Sequence, residues 1–68
     1  MPNKLLGMRK AVGVTQNDIA KYLDIAQITF SRKETGKSEF KRTEMEKITT
    51  FFKQYYPDIT LEEIFFNK

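Results

Sequence analysis

Residues 15 to 36, TQNDIAKYLDIAQITFSRKETG, decide the fold of this chain. Thr15 reads as an N-cap, with Asp18 three residues on as a weaker capping-box partner. Ile19, Ala20 and Leu23 then fall at i, i+1 and i+4, a stripe that faces a core, so a helix is expected over Gln16–Leu23. Asp24 sits where the chain must turn sharply. Asp tolerates the left-handed region better than most residues, though less well than Gly. Ile25 follows as a buried plug at the turn. A second helix is expected from Ala26 or Gln27 to Glu34 or Thr35, with Gly36 as a left-handed C′ residue. Phe30 and Ile28 are its large apolar residues. One narrow stripe is therefore buried, and most of this helix faces out.

The flanking segments read as supports for that pair. Leu5, Leu6, Met8 and Val12 give a rough apolar face to a helix from about Asn3 to Val12, stopped by Gly13. Lys37 to Phe40 form a basic loop. Met45, Ile48, Phe52 and Tyr55 fall at i, i+3, i+7 and i+10, the best helical period in the chain, and predict a helix from about Lys41 to Tyr55. Phe51 and Tyr56 widen its face, and Pro57 forces its end by disfavouring a helical Tyr56. Thr60-Leu61-Glu62-Glu63 is a full capping box for a last short helix, with Leu61, Ile64 and Phe65 turned to the core. No β pattern, repeat or low-complexity segment is present. The expected fold is all-α, with five helices in a single domain over residues 1–68.

Composition narrows the function. A chain of 68 residues lies near the lower size limit for a self-sufficient core, and six Phe and three Tyr supply large apolar faces. The absence of Cys and His excludes disulfides, thiolate or imidazole metal sites, and nucleophile–His pairs. No Asp-rich loop offers a carboxylate metal site. With no clustered carboxylate pair either, general acid–base and nucleophilic catalysis lack their usual parts, so no enzyme is expected. No cofactor or small-molecule ligand is expected. No apolar run could span a bilayer, and Leu5-Leu6 is not a signal core, so a cytoplasmic location is expected. The polar face of the fourth helix mixes Glu44, Glu46, Lys47 and Lys53, unlike a membrane-surface helix. The initiator-like Met1 and compact ending suggest a complete chain.

Net charge is +3, unevenly spread. Arg32, Lys33, Lys37, Lys41 and Arg42 outnumber Glu34 and Glu39 around the third helix. From residue 43 onward acids outnumber bases. A basic pole beside a helix that displays Gln27, Thr29, Ser31 and Arg32 suits a nucleic-acid reader, and one helix bracing another is how a major groove is entered.

These residues resemble the phage-repressor and Cro-type (XRE-like) helix-turn-helix family. The resemblance rests on Thr15-Gln16, Ile19-Ala20-x-x-Leu23, Ile25 at the turn, Thr29-Phe30-Ser31-Arg32 and Glu34-x-Gly36-Lys37. It continues through Met45-x-x-Ile48-x-x-x-Phe52 and Ile59 to Phe65, so it spans about Leu5 to Phe65. The resemblance implies a lambda-repressor-like fold and DNA binding. It puts Gln27, Ile28 and Arg32 where the family reads base edges, with Thr29 and Ser31 beside them. It puts Gln16 where a helix N-terminus meets a phosphate, and Lys37 where the following loop meets the backbone. The chain departs from the pattern at Asp24 (usually Gly), Lys33 (commonly large and apolar), Phe40 (often Pro) and Arg42 (commonly Leu). The linker holding Tyr55, Tyr56, Pro57 and Asp58 is also longer than usual.

Each position has its own chemistry. Arg32 can fork onto guanine O6 and N7, or can be solvated, paired with Glu34 or bound to phosphate. The Gln27 amide suits adenine N6 and N7, and Ile28 suits a thymine methyl unless it packs against the second helix. Thr29 and Ser31 can bond base or phosphate, or form neutral helix surface. Gln16, Lys33, Lys37, Lys41 and Arg42 are the phosphate candidates; such contacts fix register and carry little sequence information. Tyr56, Ile59 and Phe66 are candidates for a homodimer surface, part of an aromatic excess at the C-terminal end. The expectation is a small Cro-like repressor acting by occupancy, as a two-fold homodimer on a palindromic double-stranded operator with half-sites about one helical turn apart. The alternative is an antitoxin or anti-repressor that uses the same fold to grip a protein.

Overall fold

A computed structural model describes residues 4–66. Among these residues the elements are α1 (Leu5–Val12), α2 (Gln16–Leu23), α3 (Gln27–Glu34), α4 (Arg42–Phe52) and α5 (Leu61–Phe65), with no strand. The fold is all-α. None of these helices is long and apolar enough to cross a membrane. The expected start of the first helix at Asn3 lies outside the described residues.

Local chemistry accounts for the helix boundaries. Gly13 ends α1 at φ 77°, its N–H directed to the Arg9 and Lys10 carbonyls. The Thr15 hydroxyl accepts from the Asp18 N–H at 3.1 Å, and the Asp18 carboxylate accepts from the Thr15 N–H at 3.0 Å. The capping box of α2 is therefore closed in both directions. Asp24 ends α2 at φ 60°, the left-handed conformation expected of it, and Ile25 donates its N–H to the Ala20 carbonyl at 3.0 Å. Gly36 follows α3 at φ 89°. Thr60 caps α5 with Glu63 as reciprocal partner.

Every helix sends at least one fully buried residue to a single core: Leu5, Ile19, Phe30, Ile48, Phe52 and Ile64. The apolar period of α4 holds through Phe52 and then stops. Tyr55 and Tyr56 both donate to the Phe52 carbonyl, at 2.9 and 2.8 Å, so the chain winds into a tight turn instead of continuing to Tyr55. Pro57 then bars the helix from resuming through Tyr56. Tyr55 is left exposed, as is Leu6 on α1, whereas Met8 and Val12 pack against the core. The segment before α1 is tied to α5 by the Lys4 N–H, which donates to the Ile64 carbonyl at 3.0 Å.

Candidate functional site

The turn at Asp24 lays α3 against α2 and leaves one flank of α3 open. Phe30 is its apolar anchor and is fully buried. On the other flank Gln27 and Arg32 are exposed, Thr29 and Ser31 are half-buried, and Ile28 is 65% exposed. Packing against α2 therefore does not account for Ile28. Ile28, Ser31, Arg32, Thr35 and Lys37 line one open hollow. Among the described residues the Arg32 guanidinium has no hydrogen-bond or ion-pair partner.

A polar network runs along α3 from Glu34 at its end to Gln27 at its start. The Arg9 guanidinium forks onto Glu34, Nε to Oε2 at 2.9 Å and a terminal nitrogen to Oε1 at 3.1 Å. Its other terminal nitrogen donates to the Val14 carbonyl at 3.1 Å. The Gln16 amide nitrogen donates to Glu34 Oε1 at 2.8 Å, which turns the Gln16 oxygen toward the Gln27 amide nitrogen, 3.5 Å away. Glu34 is thus paired with Arg9 and not with Arg32. The network fixes the amide of Gln16 and engages one Gln27 N–H, leaving the Gln27 oxygen and its other amide N–H without a partner among the described residues.

A second buried pair was not anticipated from the sequence. Lys33 belongs by sequence to the phosphate set, but its ammonium holds both Glu44 oxygens, at 2.6 and 2.8 Å, and both side chains are nearly enclosed. Lys33 is corrected to an internal strut between α3 and α4. Glu44 also accepts from the Lys41 N–H at 2.8 Å, capping α4. Burial pushes the Glu44 carboxyl up. The Lys33 and Lys41 hydrogen bonds and the nearby charges outweigh it, so the net shift is downward from the ordinary 4.5. The hydrogen bonds of Thr15 likewise lower Asp18. A depressed folded-state value means that the Glu44 contribution is fully present above 4.5 and is lost as pH falls through its folded value. In acid titrations followed by thermal melting, Glu44→Gln should be less stable than wild type at neutral pH. The two curves should converge below 4.5. Parallel curves would place the acid sensitivity elsewhere.

Lys37, Lys41 and Arg42 are exposed, Arg42 in a loose pair with Glu46 at 3.4 Å. Of the expected dimer residues, Tyr56 and Ile59 pack partly against the core, whereas Phe66 is 58% exposed. The Arg9–Glu34 pair had a signal in the sequence. Leu5 and Arg9, like Phe30 and Glu34, stand four residues apart on one helix face, so each charge follows its helix's core residue inward. Among the described residues no group of His, Cys, Asp or Glu is arranged to hold a metal ion. No protein-family model matches the chain, and no curated protein or solved structure matches it significantly. Among the described residues the fold and site define an all-α arrangement of five short helices with a partly apolar, partly cationic open face on α3.

Proposed function

We propose that this chain is a sequence-specific double-stranded-DNA-binding transcriptional regulator of the phage-repressor/Cro-type helix-turn-helix class, with α2 and α3 as the motif. The observation that carries this reading is the exposed row Gln27, Ile28 and Arg32 on α3, with Gln27 bonded to Gln16 and Gln16 held in turn by Glu34. An isoleucine open to water gains by contact with a thymine methyl, and a guanidinium beside it with no partner among the described residues gains by forking onto guanine. Thr29 and Ser31 flank that surface. Gln16, Lys37, Lys41 and Arg42 supply backbone contacts that set register. The chain acts as a homodimer on a palindromic operator and represses by occupancy, in the cytoplasm, with Phe66 and the exposed parts of Tyr56 and Ile59 at the dimer contact.

Selection from a randomised duplex pool at two salt concentrations tests this reading. An enriched palindrome whose affinity falls steeply with salt is the expected result. Arg32→Ala should then lose about 1–3 kcal/mol at one base position only, with an unchanged helical spectrum. Uniform weakening across all sequences would make Arg32 a phosphate contact instead. A second reading, a protein-gripping antitoxin or anti-repressor, is favoured by the ring set Tyr22–Phe51–Tyr55. Centroid separations there are 5.2 and 6.1 Å, and Tyr22 and Tyr55 are exposed. The absence of any enriched duplex, together with a partner retained by Arg32→Ala and Gln27→Ala, would decide for it.

A further inference from the structure

The loop from Gly36 to Lys41 carries exposed cations at Lys37 and Lys41, and its course is fixed from two sides. On the α3 side, the Lys37 and Ser38 N–H groups both donate to the Arg32 carbonyl, at 2.8 and 3.2 Å. Phe40 plugs the middle, its ring between Phe30 at 5.9 Å and Phe65 at 5.2 Å. On the α4 side, Lys41 donates its N–H to Glu44, and Glu44 is in turn gripped by Lys33 of α3. The last residue of the loop is therefore referred back to the helix that bears Arg32. An enclosed ion pair is a poor device for stability, since well-packed apolar side chains of similar volume do as well or better. What it adds over them is direction: three hydrogen bonds converge on one carboxylate and fix the register of α4 against α3.

We propose that the Lys33–Glu44 pair is a positioning device for double-stranded DNA, holding the Gly36–Lys41 loop against α3 so that Lys37 and Lys41 meet backbone phosphates together. This rests on the DNA-binding reading above. Lys33 and Glu44 are positioning residues and touch no phosphate themselves.

The test compares the full chain with Lys33→Met/Glu44→Met on random-sequence duplex over a series of salt concentrations, alongside amide hydrogen exchange. The double variant should keep its helical spectrum and cooperative melting. Its Lys41 amide should exchange about tenfold faster, as loss of one hydrogen bond allows. The slope of log affinity against log salt should become shallower by about 1–2, while base preferences in a selected duplex stay the same. An unchanged slope and affinity in the double variant overturns the proposal. Wild-type protein without salt-sensitive duplex binding overturns the DNA reading itself. Should the double variant not fold, Glu44→Gln and Glu44→Ala decide. Gln still accepts from the Lys41 N–H and should keep the wild-type slope, whereas Ala should not. Equal slopes in these two variants overturn the proposal.

Discussion

Arg9→Met is expected to cost about 3–5 kcal/mol, the range for removing one partner of a buried ion pair. The total for a chain of this length is of order 3–10 kcal/mol, so most of the protein would lie near its unfolding midpoint. The loss is not that of a contact alone. Glu34 has 2% of its side chain exposed, and without the guanidinium its carboxylate keeps, among the described residues, only the Gln16 amide as a donor. The Val14 carbonyl, whose residue begins the chain's approach to α2, loses its donor as well. Urea unfolding followed by circular dichroism measures the effect. Arg9→Met/Glu34→Leu should recover most of it, because an apolar pair removes the stranded charge. A loss below about 1 kcal/mol in the single variant would mean that Glu34 reaches water as an exposed pair does.

The same network separates what the sequence discloses from what it conceals. The helix ends were legible because their signals are local. Thr15 with Asp18, Gly13, Asp24, Gly36 and Thr60 with Glu63 each settle a boundary through bonds spanning a few residues. The period Met45, Ile48, Phe52 identified α4, but its extension to Tyr55 failed: the helix ends at Phe52, and the chain turns there with the Tyr55 and Tyr56 N–H groups both on the Phe52 carbonyl. The ion pairs are a different matter. Arg9 and Glu34 are 25 positions apart, and Lys33 and Glu44 are 11 apart. Charge spacing along one helix cannot say which cation meets which acid once helices fold on one another. Lys33 looked like a phosphate contact because its type and neighbourhood suit one. Only the approach of α4 turns it inward. The open row on α3 was legible for the opposite reason: a helix with one large core residue must expose the rest.

Phe30→Ala should be comparably severe, at about 3–5 kcal/mol, from lost transfer energy and the cavity that remains. Phe30 is the fully buried anchor of α3, and the helix has no second large apolar residue to replace it, since Ile28 faces water. Its ring also supports Phe40, which in turn meets Phe65, so the cavity would open at the joint of α3, the basic loop and α5. Collapse into that space would move Phe40 and release the loop, coupling a packing defect to the surface proposed to meet DNA. Phe30→Leu, which keeps much of the volume, should cost roughly 1–2 kcal/mol and leave the loop amides protected. Thermal melting gives the stability of both variants, and hydrogen exchange at Lys37 and Ser38 reads the loop. If Phe30→Ala melts within a few degrees of wild type with those amides still protected, α3 is held by its polar network and not by its ring. The two buried ion pairs would then have to be counted as the main tethers of that helix.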